Sequence, residues 1–86
     1  MRTIWKFPFE IVDDFEVEMP RDAEFLSAQL QGGVPTVWFS VEPAKAKVTR
    51  RFKIVGTGHG YPSQDLAFLA TLQMPPFVWH LFEKIG

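Results

Sequence analysis

No cysteine occurs among the 86 residues, which removes disulfide staples, thiolate zinc sites, cysteine nucleophiles and thiol redox chemistry together. A cysteine-free chain suits a reducing interior. No run approaches the roughly 20 apolar residues that cross a bilayer, and the opening Met1-Arg2-Thr3-Ile4-Trp5-Lys6 is too polar for a secretory signal. The expected setting is therefore the cytoplasm, with no membrane partner. Net charge is also small: nine bases and ten acids give −1, against the basic excess that general nucleic-acid binders use to neutralise phosphates. Familiar catalytic spacings are missing too. The two histidines, His59 and His80, stand alone, with no His-Glu-x-x-His pair, no Gly-x-Ser-x-Gly elbow and no P-loop ending. No enzyme, cofactor or metal site is expected.

What the chain does have is aromatic mass: Phe nine times, Trp three times and Tyr once. Each such ring buries a large area, so even a short chain can build a core. At this length a second domain is implausible, and residues 1–86 are read as a single domain.

Period-two alternation dominates the pattern. Trp5, Phe7 and Phe9 alternate with Lys6 and Glu10, and Phe15, Val17 and Met19 alternate with Glu16 and Glu18. Both read as half-buried strands, turning near Asp13-Asp14. Pro8 donates no ladder hydrogen bond, which places the first strand at an edge or a bulge. Gly32-Gly33 is a two-residue hairpin turn. It pairs Gln31 with Val34, and then Leu30 with Pro35, Ala28 with Val37 and Leu26 with Phe39 on an apolar face. The other face pairs Gln29 with Thr36, Ser27 with Trp38 and Phe25 with Ser40. Arg51 to Gly56 forms another strand, ending in the loop Gly56-Thr57-Gly58-His59-Gly60. Leu66 to Gln73 fits a strand or a short helix, and strand is the reading preferred. Phe77 to Phe82, after Met74-Pro75-Pro76, is a last strand. The fold class is all-β: a small antiparallel sheet or sandwich, or a partly open barrel, of about six to seven strands.

That last strand is bulky on both faces. A thin domain covers only one face of each sheet, so Phe77, Trp79 and Leu81 are expected at the interface of a homo-oligomer. The alternative is a small barrel with a loop or the C-terminal residues as lid.

Charge is unevenly distributed. Seven of the ten acids lie between Glu10 and Glu24 with one base, Arg21, whereas Pro43 to Gln64 holds no acid and five of the nine bases. Arg50, Arg51 and Lys53 lead into the glycine-rich loop, where positive φ would let backbone N–H groups form an anion-binding nest, with Thr57, Gly58 and His59 adding donors. An ordinary irregular turn explains the same glycines. Trp38, on a mostly polar sheet face beside Gln29, Gln31, Thr36 and Ser40, offers either a stacking platform for a ring or a packing surface for the next subunit. His80 reads as a hydrogen-bonded histidine among apolar residues, and the acids at 10–24 read as a solvated strand face.

The segments Met1-Arg2-Thr3-Ile4-Trp5-Lys6-Phe7-Pro8, Leu30-Gln31-Gly32-Gly33-Val34-Pro35 with Val37-Trp38, Phe52 to His59, and Val78-Trp79-His80-Leu81-Phe82-Glu83 together resemble a family of small proteins encoded by tailed bacteriophages and prophages. The resemblance covers nearly the whole chain and implies a viral accessory gene acting in an infected bacterium, without naming an activity. Gly60 stands where that pattern has a proline. Small phage proteins commonly bind something of the host, and some compact oligomers sequester nucleotide signals of host defence. The leading expectation is thus a non-enzymatic homo-oligomer that binds a small anionic, nucleotide-like ligand. The rivals are an inhibitor that docks on a host protein through its acidic face, and a minor virion component.

Overall fold

The computed structural model describes all residues, 1–86. Seven strands run β1 Thr3–Pro8, β2 Asp14–Pro20, β3 Glu24–Gln31, β4 Val34–Val41, β5 Lys47–Gly56, β6 Leu66–Met74 and β7 Phe77–Lys84. They form two antiparallel sheets that do not close into a barrel, one ordered β1-β4-β3 and the other β2-β5-β7-β6. There is no helix long and apolar enough to cross a membrane.

Strand β1 is an edge of the smaller sheet, the position where Pro8 costs no ladder bond. It pairs with β4, while β2 begins at Asp14 in the other sheet, so the chain changes layers across residues 9–13 instead of making a tight turn. The β3–β4 hairpin turns at Gly32 and Gly33, whose φ values of 57° and 81° are those a two-residue hairpin with both central residues left-handed requires. From Gln31↔Val34 to Ser27↔Trp38 the register is the one the alternation implies. Beyond that a bulge between Phe25 and Ser27 shifts it, so Phe25 faces Phe39, Glu24 faces Ser40, and Leu26 is left exposed. The shift exchanges one contact for a better one, because the Phe25 ring now meets Phe39 edge-on at 5.8 Å.

Phe39 is the centre of the core. Fully buried on β4, it meets Phe7 at 6.2 Å, Phe25 at 5.8 Å and, across the sandwich, Phe52 on β5 at 6.2 Å, each edge-on. Phe52 stacks on Phe15, and Phe15 on Phe9, so one aromatic file ties both layers to the crossover at residues 9–13. Arg50 enters the same interior. Its guanidinium lies 5.2 Å from the Phe39 ring centre, bonds both carboxylate oxygens of Glu83, and donates to the Ala23 carbonyl at 2.8 Å. A charge with so little solvent must be neutralised and hydrogen-bonded in place, and this one is.

The outer face of the larger sheet shows why charge is uneven along the sequence. Acidic β2 pairs with basic β5, setting Glu16 opposite Arg51 and Asp14 opposite Lys53. Arg51 bonds Glu16 at 3.0 Å, and Asp14 takes both Lys53 at 3.2 Å and Lys84 at 2.8 Å. Opposite charges directly across a ladder favour that register over a slipped one.

Asp14 therefore links β2, β5 and β7, and its carboxyl sits below the usual range. The Lys84 hydrogen bond is the main cause, opposed by desolvation and reinforced by Lys53. A depressed folded pKa means the stabilisation is complete above the ordinary carboxylate value of about 3.9 and is lost as pH falls through the lower folded value. The pair is open to solvent, so its worth is below about 1 kcal/mol. Asp14→Asn should lower stability by up to that amount near neutral pH, and the deficit should shrink toward zero by about pH 2. Urea denaturation at both pH values checks this; an undiminished deficit in acid contradicts it.

Candidate functional site

Strand β7 pairs antiparallel with both β5 and β6, so those two run parallel, and residues 57–65 must return the chain across a sheet face. The return starts at Gly56, opposite Trp79, and ends at Leu66, opposite Lys84. That is about 17 Å along β7 and about 10 Å across two strand spacings. Nine residues span it with slack. The slack is used in a turn: Gly58, at φ +89°, is its third residue, and His59 N–H donates to the Gly56 carbonyl at 3.1 Å. A left-handed third position is what makes glycine suitable there.

Both ends of the crossover are fastened. Thr57 N–H donates to the Val78 carbonyl at 3.2 Å, and at the far end Ile85 N–H donates to the Asp65 carbonyl at 2.9 Å. The Thr57 hydroxyl also lies 2.7 Å from His80 Nε2, while the Thr71 hydroxyl lies 2.9 Å from Nδ1. His80 is thus a half-buried strand residue hydrogen-bonded on both ring nitrogens, with no carboxylate at either. Over the middle of the crossover, the Tyr61 ring sits 5.0 Å from Phe82, and Phe68 meets Phe82 edge-on at 5.5 Å. Part of the second face of β7 is therefore covered by the chain's own loop.

Cavities open on the flanks of this loop. β2 begins at Asp14, opposite Lys53, so β5 beyond that point has lost its strand neighbour on one side. A cavity of about 420 Å³ fills the gap, walled by Ile11 to Asp13, Lys53, Gly56, His59 and Trp79. Another, of about 350 Å³, lies under Tyr61, Phe68, Thr57 and His80. Gly56 and His59 line both. Gly56 is glycine for contact reasons: a Cβ there would stand 3.1 Å from His59 Nδ1 and 3.1 Å from Trp79 Cζ3. Its bare backbone lets the imidazole and the indole converge on one spot.

The residues singled out in the sequence do not form one cluster. Lys53, Thr57, Gly58 and His59 come together around the loop, and Lys53 is held by Asp14. Arg50 points into the core with Glu83, and Arg51 is on the outer face with Glu16. Trp38 belongs to the other sheet, on the opposite side of the sandwich, and no pocket wall includes it. Trp79 is the tryptophan at the loop. It stacks on Phe77 at 5.5 Å, with Phe77 58% exposed, whereas Leu81 is 1% exposed and belongs to the core, with no surface for a partner. Nor do the loop glycines make a full nest, since the N–H groups of Thr57 and His59 are spent inside the chain. Asp13 and Trp79 are wall residues the sequence reading missed: the layer change at 9–13 brings Asp13 to the cavity, and the pairing of β7 with β5 sets Trp79 opposite Gly56.

Replacing Gly56 by Val should cost about 1–3 kcal/mol by overpacking against His59 and Trp79, and should alter the tryptophan emission. Gly60→Ala, which meets nothing within 4 Å, should stay within about 0.5 kcal/mol of the parent. Urea titration followed by fluorescence separates the two; equal costs would contradict the packing described.

No curated protein and no solved structure matches the chain. The model of one family, DUF7352, a domain of unknown function, matches residues 1–86, and the chain belongs to that family.

Proposed function

We propose that this domain is a non-enzymatic binding protein whose ligand is small, anionic and nucleotide-like, held at the Gly56–Pro62 loop. The observation that carries the reading is the convergence of His59, Trp79, Lys53 and Asp13 on one cavity of about 420 Å³ at a gap in the sheet. That volume is within the range of small-molecule sites, about 300–1,000 Å³. Trp79 supplies a ring face for a base, and Asp13 accepts from an exocyclic amine. Lys53, His59 and the unspent N–H groups of Gly58 and Gly60 would meet the anionic end.

The proposed protein is a homo-oligomer, as the expected bacteriophage accessory role would also suit. Phe77 stands exposed against Trp79 at the rim of the loop, and a second copy would give that ring cover. Binding alone, without turnover, is the proposed activity: His80 lies between the Thr57 and Thr71 hydroxyls with no carboxylate at either ring nitrogen to orient it as a base. In an infected bacterium such a protein would act by sequestering a host signal.

Isothermal titration of the purified protein against mono-, di- and cyclic nucleotides tests this. At least one should bind with micromolar or tighter affinity, with His59→Ala weakening it about tenfold or more and Trp38→Ala leaving it unchanged. Absence of binding across the set, or binding indifferent to His59→Ala, would overturn the assignment.

A further inference from the structure

Two cavities of unlike chemistry meet at the crossover loop. The first, at the gap beside β5, takes Asp13, Lys53 and Trp79 into its walls. The second lies over the outward face of β7. Leu81 points into the core, so its neighbours His80 and Phe82 point away from it, and Tyr61 and Phe68 complete the walls around them. No acid, lysine or arginine lines this second cavity, and its volume of about 350 Å³ is also within the small-molecule range.

Val55, Gly56 and His59 are common to both cavities. The His59 imidazole is packed over Gly56 and, unlike that of His80, takes no hydrogen bond inside the chain. Gly58 walls the second cavity and Gly60 the first, and neither N–H is spent on a backbone carbonyl. The groups suited to an anion therefore stand where the two spaces adjoin.

Charge sets which anion fits that boundary. Of the bases leading into the loop, Arg50 is paired with Glu83, Arg51 with Glu16 and Lys53 with Asp14. A terminal phosphate carries about −1.5 to −2 at neutral pH, more than such committed bases balance. A phosphodiester carries a single charge and bears an organic group on each side of it, one for each cavity.

The walls of the second cavity say what that further group is. Tyr61 is 45% and Phe68 58% exposed, each in contact with Phe82. Open ring faces of this kind are covered by a flat aromatic group, and a base stacked on an aromatic side chain is a strong contact. We propose that the ligand is a dinucleotide with its phosphodiester at His59, one base against Trp79 in the first cavity and the other against Tyr61 and Phe68 in the second. This inference rests on the nucleotide reading above and adds to it a second ring and a single charge.

Isothermal titration tests it with two probes of equal charge, the dinucleoside monophosphate and the cyclic mononucleotide of the same base, for adenine, guanine, cytosine and uracil in turn. At least one dinucleoside monophosphate should bind about tenfold or more tightly than its one-base counterpart. Phe68→Ala and Tyr61→Leu should each erase most of that advantage, and Trp38→Ala should keep it. Melting curves establish that the variants are folded; if Tyr61→Leu is not, Phe68→Ala, at a largely exposed ring, carries the test. Equal affinity for the two probes, or an advantage that survives Phe68→Ala, overturns the inference and leaves the nucleotide reading standing. Binding of neither probe overturns it as well, and the nucleotide reading falls with it only if the wider set of nucleotides also fails to bind.

Discussion

Inserting β7 between β5 and β6 constrains everything around it. Two strands on either side of a common antiparallel neighbour must be parallel, and a parallel pair cannot be joined by a tight turn. Here the return lacks a helix and is made by nine residues laid over the sheet. Such a segment would carry unsatisfied backbone groups and exposed rings if it floated free. It is held instead by the Thr57 contacts with Val78 and His80 at one end and by Asp65 at the other. The loop that covers Phe82 is the same loop that walls the cavities, so the candidate site is a by-product of how the sheet is threaded.

Electrostatics and packing follow the same economy. An acidic and a basic segment, far apart in the chain, become adjacent strands whose charges cancel in pairs. Each exposed pair contributes little, but together they disfavour a one-residue slip that would set the charges against apolar positions. The inward Arg50 is a different case, because it is enclosed by Phe39, Glu83 and the Ala23 carbonyl. Loss of Glu83 would leave that guanidinium uncompensated beside the central ring of the core. The basic run is thus mostly structural: Arg50 holds the interior and Arg51 the ladder, and Lys53 alone of the three lines the cavity.

Local features of the sequence reported local structure faithfully. Gly32-Gly33 announced its hairpin, Pro8 its edge, and the alternation in Leu66 to Gln73 a strand, all as found in a seven-stranded sandwich. The register failed first at Phe25, because a bulge depends on which partner ring is available across the sheet and not on the strand's own pattern. The basic run suggested an anion site since its carboxylate partners lie more than thirty positions away, at Asp14 and Glu16. The bulk on both faces of β7 was plain in the sequence, but only the threading shows that Tyr61 and Phe68 meet part of that demand. Trp79 as a cavity wall had no local signal; what marks it is its place opposite Gly56, whose missing Cβ makes room for the indole.

The central claim is that the gap beside β5, and not the charged sheet face, is where a ligand is held. Backbone amide chemical-shift mapping of the labelled protein during titration with a bound nucleotide tests it most directly. The account predicts perturbations concentrated at residues 11–13, 53–60 and 79. Perturbations centred instead on Arg51, Glu16 and their neighbours along the outer face, with the loop unmoved, would contradict it.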